Sequence, residues 1–133
     1  MEALKKYLEN KSWKDFESFI AEVFEIYNFK VSRNVRIKYL KNIEFDIIAE
    51  KRNLIVLVEC KKWKKIYSNE KNLNKVLKKF KEKIEKFKKY TFKKVVSLII
   101  FLDTKFEPKI IDEIFVMSID YLNSFLNTIE TLI

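Results

Sequence analysis

Leu54-Ile55-Val56-Leu57-Val58-Glu59-Cys60-Lys61 decides the fold. Its first five residues are apolar on both faces, the pattern of a strand in the middle of a sheet covered on both sides. Side chains alternate along a strand, so Glu59 and Lys61 share one face while Cys60 points to the other. Charge at the end of a buried strand is costly and asks for a reason. A structural ion pair is one account. A reacting site is the other, and the neighbouring residues bear on it.

Working outward, residues 43–50 are also β-rich, and only Lys51-Arg52-Asn53 separates them from the central run, which reads as a hairpin. If Arg52-Asn53 form a two-residue loop, Lys51 pairs with Leu54 and Asp46 falls opposite Glu59. A three-residue loop without a bulge would set Asp46 opposite Val58, on the wrong face. In the first register Asp46, Glu59 and Lys61 converge. Two carboxylates that close repel unless a divalent cation sits between them.

The rest of the chain supplies covering layers. Residues 13–28 read as a helix, with Ser12-Trp13-Lys14-Asp15 as a capping signal and an apolar stripe of Phe16, Phe19, Ile20, Val23, Phe24 and Tyr27. At about 100° per residue, Glu17 lies at the edge of that stripe, whereas Glu22 and Glu25 project toward solvent. Glu17 is thus the helix acid best placed to look into the sheet; an ordinary flanking charge is the alternative. Residues 4–8 suggest a shorter helix. Residues 31–39 alternate as a strand, with Val31, Val35, Ile37 and Tyr39 on one side. Residues 69–90 form a long amphipathic helix whose inward residues are Leu73, Val76, Leu77, Phe80, Ile84 and Phe87. Residues 95–102 and 114–119 read as strands, and Asp120 is expected to cap a terminal apolar helix. The order is α-β-β-β-α-β-(β)-α, an α/β fold with a mixed central sheet flanked by helices. Glycine is absent, so positive-φ turns are expected to fall to Asn34, Asn42, Asn53 or Asn69.

Composition removes several chemistries. With 133 residues the chain can bury about two-thirds of its unfolded surface in a real core. There is no histidine, which excludes Ser-His-Asp and Cys-His schemes and imidazole metal sites. Cys60 is the single cysteine, so no disulfide or thiolate cluster forms within one chain; it reads as a small buried hydrophobe. Oxygen ligands and hard cations are what remain. The net charge is +9, and the 15 lysines against three acids between Lys61 and Lys94 give +12, leaving −3 for the rest. Such a block suits a polyanion, nucleic acid or an acidic membrane surface; a solvated helix face is the alternative reading. No apolar run is long enough to span a bilayer, and the first residues lack the apolar core of a secretory signal. A cytoplasmic protein without membrane association is expected.

Three segments carry a resemblance. Trp13-Lys14-Asp15-Phe16-Glu17, Glu44-Phe45-Asp46-Ile47-Ile48-Ala49-Glu50 and Val58-Glu59-Cys60-Lys61-Lys62-Trp63 resemble the PD-(D/E)xK nuclease superfamily. The nearest branch is the Mrr-type restriction endonuclease catalytic domain, with archaeal Holliday junction resolvases as relatives. Phe45 stands where the superfamily name has proline, and Asn42-Ile43 where Mrr-type domains often carry glycines. The resemblance implies a single restriction-endonuclease-like domain over residues 1–133. It implies an Mg²⁺- or Mn²⁺-dependent endonuclease acting on DNA, including branched or structured DNA. Asp46, Glu59 and Glu17 would bind the metal and Lys61 would assist the attacking water. Lys62, Lys64 and Lys65, which directly follow, would meet phosphates. Cutting both strands would need two sites, hence a homodimer. The alternative is a non-catalytic nucleic-acid-binding or assembly subunit that retains the nuclease fold.

Overall fold

The computed structural model describes residues 8, 11–41, 43–63, 70–102 and 106–131. Its elements are α1 (Trp13–Ile26), β1 (Lys30–Ile37), β2 (Ile43–Lys51), β3 (Leu54–Cys60), α2 (Glu70–Lys88), β4 (Lys94–Phe101), β5 (Lys109–Ile111), β6 (Ile114–Ser118) and α3 (Leu122–Glu130). The strands form one sheet in the order β1-β2-β3-β4-β6-β5. β3, β4 and β6 run parallel, while β1-β2, β2-β3 and β5-β6 are antiparallel. Parallel neighbours need a long crossover, and α2 supplies it between β3 and β4.

Two cores lie on opposite faces of the sheet. Phe16, Ile20 and Phe24 of α1 and Leu122, Leu126 and Ile129 of α3 pack on Val56, Val58 and Cys60. Leu73, Leu77, Phe80 and Ile84 of α2 pack on Ile55, Leu57, Ile99 and Phe101. β3 is therefore buried from both sides, as its unbroken apolar run requires. The expected mixed sheet between helical layers is what forms.

Local signals explain most boundaries. Ser12 and Asp15 make the expected reciprocal capping box at the start of α1. The helix stops where Asn28 takes φ 67°, a left-handed conformation that Asn tolerates. Residues 4–7 of the expected first helix lie outside the described residues; Leu8 is helical and buried.

Several expectations need correction. β1 ends at Ile37, and Lys38–Leu40 wind into a 3₁₀ turn closed by Lys41 at φ 61°. The alternation along β1 also reverses: Val31 packs into the α1 core but Val35 and Ile37 into the α2 core. Asn34, at φ 51°, lies between them and turns the strand over without inserting a residue, since the pairing with β2 keeps one register on either side of it. β2 reverses at the same level, with Ile47 in one core and Phe45 in the other. Arg52 rather than Asn53 takes the positive φ, 54°, of the β2-β3 loop; Asn42 and Asn69 lie outside the described residues. Asp112 and Glu113, at φ 51° and 68°, make the β5-β6 turn. Ser118, not Asp120, caps the start of the C-terminal helical segment, its hydroxyl accepting the Asp120 N–H at 3.2 Å. The helix then begins through a 3₁₀ turn at Ile119–Tyr121.

Candidate active site

The β2-β3 ladder runs from Lys51↔Leu54 to Ile47↔Val58, the register of a two-residue loop. Asp46 and Glu59 are the next residues along it, at the level where the two strands part. There the Cys60 N–H donates to Asp46 Oδ2 at 2.8 Å, a side chain standing where a β2 carbonyl would have been. On the other flank β3 stays attached to β4, the Lys61 N–H donating to the Ile100 carbonyl at 2.8 Å. The Asp46 carboxylate is therefore held inside the fork. The reversal of β2 at this residue is what makes room for it.

Glu59 follows Leu57 on the α2 face, its side chain only 12% exposed. Lys61 Nζ lies 4.0 Å from Glu59 Oε2. A second ammonium, Lys83 Nζ of α2, lies 3.9 Å from the same oxygen. Lys83 also donates to the Glu44 carbonyl at 2.8 Å and sits 5.8 Å over the Phe45 ring. Glu17 comes from α1 on the opposite side of the sheet. It is fully buried, and neither carboxylate oxygen has a hydrogen-bond partner among the described residues.

Burial and crowding disturb the ionisation of these acids. Burial, then the Asp46 charge, pushes Glu17 up to about 7, with Arg33 and the nearby Asn34 side chain pulling the other way. Glu59 is likewise pushed up to about 7 by burial and then by Asp46, partly offset by Lys83 and Lys61. Asp46 is raised by burial, against the lowering effect of the Cys60 N–H and Lys61. Both other carboxylates feel Asp46, so it is the middle group of the three. Burial also drives the Cys60 thiol well above its ordinary range, which leaves it an uncharged core residue.

Asp46, Glu59 and Lys61 thus come together, and Glu17 approaches Asp46 from the other layer. Among the described residues no three acids or thiols close into a ready-made metal group. The donor set nevertheless fits a hard cation. Mg²⁺ is usually held by one or two carboxylates, with waters and phosphate oxygens filling the other positions. Asp46 and Glu59 supply the two carboxylates, and their mutual repulsion is what a cation would relieve.

The flanking residues divide. The Lys62 ammonium reaches back to the Lys11 carbonyl and ties the end of β3 to the approach to α1. Lys64 and Lys65 lie outside the described residues. Trp63 packs against the α2 core. Lys83 is the member that sequence reading missed. Its signal was spacing: it stands three residues after Phe80 and four before Phe87, a lone charge along an inward stripe.

Residues 8–102, more than two thirds of the chain, match the Mrr_cat family model, described as restriction endonuclease. The matched span contains α1, the β2-β3 fork and α2. Among curated proteins, none matches the chain. The match and the fold agree with the resemblance carried by the three segments, and the chain belongs to the Mrr_cat restriction endonuclease family of the PD-(D/E)xK nuclease superfamily.

Proposed function

We propose that this protein is a metal-dependent endonuclease that hydrolyses phosphodiester bonds in DNA. The observation that carries the reading is the meeting of Asp46, Glu59 and Lys61 where β2 and β3 part. Asp46 and Glu59 would hold Mg²⁺ or Mn²⁺, with Glu17 as the third carboxylate accepting from its waters. When bound, the ion supplies Lewis-acid polarisation of the scissile phosphate and a more acidic water. Lys61 orients the attacking water and offsets the negative charge that grows at phosphorus.

The lysine-rich segment from Lys62 through α2 gives the backbone of DNA a basic path. Binding through it would be strongly salt-dependent and blind to sequence. Double-strand or junction cleavage would need two such sites, which a homodimer provides. No helix among the described residues is long and apolar enough to cross a membrane. The proposed DNA substrate is what leads us to place the reaction in the cytoplasm. A non-catalytic subunit would have no use for three buried or half-buried carboxylates beside two lysines.

The test is cleavage of a panel of linear, flapped and four-way DNAs with Mg²⁺ or Mn²⁺, each against a chelator control. The expected result is metal-dependent nicking or cutting of at least one substrate, strongest at low salt. Bound but uncut DNA throughout the panel would favour the subunit.

A further inference from the structure

Glu59 carries two ammonium groups against one carboxylate oxygen, and they are held differently. Lys61 belongs to the same chain segment, 4.0 Å away. Lys83 arrives from α2 at 3.9 Å and is anchored on β2 through the Glu44 carbonyl at 2.8 Å and the Phe45 ring. Lys83 therefore spans the fork from one strand to the other, and its hydrogen bond to the Glu44 carbonyl keeps the ammonium beside the fork whichever second acceptor it faces. Asp46 and Glu59 bring two negative charges when ionised, and Lys61 and Lys83 bring two positive ones. Before any metal arrives, the two ammonium groups already offset part of the charge that a cation would neutralise. A divalent ion entering between the carboxylates meets a like charge that its tether keeps close.

We propose that Lys83 is a resident counter-cation of the metal site. In the free protein it competes with metal for Glu59, and when DNA is present its ammonium turns to a phosphate oxygen. Metal and DNA then load the site together, because each relieves the charge conflict that the other meets, and such coupling is reciprocal. An ammonium has three donors; Glu44 uses one, which leaves two for a phosphate. This inference rests on Asp46 and Glu59 being metal ligands.

The experiment measures two affinities on the full chain: Mn²⁺ by calorimetry without DNA, and a DNA duplex by fluorescence anisotropy with chelator. Wild type, Lys83→Met, Lys83→Arg and Asp46→Asn are compared, each first checked for cooperative melting. Lys83→Met is expected to bind Mn²⁺ about tenfold more tightly, the scale on which one close charge shifts a carboxylate's occupancy, and to bind metal-free DNA more weakly. Lys83→Arg keeps the charge and should stay near wild type for Mn²⁺. A merely structural lysine would leave Mn²⁺ affinity unchanged or lower it in Lys83→Met, and either result overturns the inference alone. Failure of wild type to bind Mn²⁺ in an Asp46-dependent way would overturn the metal site itself, and the inference with it.

Discussion

Asp46 uses one carboxylate for two purposes. Oδ2 satisfies the Cys60 N–H that the parting strands would otherwise leave bare, and the carboxylate also shares a hydrogen bond with Glu59 across the fork, in the place a cation would take. Asp46→Asn keeps an acceptor for that N–H and removes the charge. It is expected to fold normally, with stability changed by no more than about 1–2 kcal/mol. It should lose the rise in melting temperature that millimolar Mg²⁺ gives the wild type by mass action. A melting curve of Asp46→Asn that still responds to Mg²⁺ would remove this residue from the site. Glu17 and Glu59 give a pH signature of definite sign. Both carboxyls sit near 7 instead of 4.5, so the folded chain binds protons more tightly than the unfolded one. Their contribution to stability is complete below about pH 4.5 and is lost as pH rises through 7. Melts in chelator from pH 5 to 8 should therefore fall more steeply for wild type than for Glu17→Gln. Equal slopes would contradict the assignment. Metal affinity should grow over the same interval, because the ligands must shed their protons. Glu17 was legible in the sequence, since its angular position separates it from the exposed Glu22 and Glu25. Lys83 was not, because α2 is so rich in lysine that one inward member hides among its solvated neighbours.

At the scale of elements, the β2-β3 hairpin sets the site. Its two-residue loop puts Asp46 level with Glu59, and one more residue would have turned Asp46 to the wrong face. The loop does this with an awkward residue, Arg52 at φ 54°. An L-residue with a side chain pays roughly 1–2 kcal/mol in the left-handed region. Arg52→Gly is accordingly expected to stabilise the protein by about 0.5–1 kcal/mol after glycine's extra chain entropy is deducted. Urea unfolding measures it, and a lower midpoint would mean that the arginine side chain stabilises the loop in some other way. The sequence narrowed the hairpin to two registers because the two apolar runs leave room for few loop lengths, and the two-residue loop is the one that forms. The reversals at Asn34 and Asp46 could not. Alternation is a reading rule for a regular strand, and one left-handed residue breaks it without leaving a mark in hydropathy. β5 escaped for a simpler reason, as three residues after Pro108 are too few to show a period. The Asp120 cap was displaced because Ser118, two residues earlier, took the role and started the helix through a tighter turn.

At the scale of the molecule, charge and topology point the same way. The sheet brings the ends of β2 and β3 together with α2, and α2 carries exposed lysines such as Lys71, Lys75, Lys78 and Lys79. The same helix that delivers Lys83 to the fork thus carries much of the basic path proposed for DNA. The fold class was legible because one strand, buried on both faces, forces a covered central sheet, and the connection lengths then leave little choice of layers. Which nucleic acid the proposed site would act on was not legible, since backbone contacts carry charge and shape but no sequence. In the function proposed here, Lys61 acts on the reaction and not on binding. Lys61→Ala, compared with wild type for cleavage with Mg²⁺ and for DNA and Mn²⁺ affinity, tests it most directly. Both affinities should hold within a few-fold, while cleavage should fall by about a hundredfold or more, the usual cost of losing one positioned electrostatic group. A Lys61→Ala protein that cuts DNA as fast as wild type would contradict the account and leave Lys61 as no more than the ion-pair partner of Glu59.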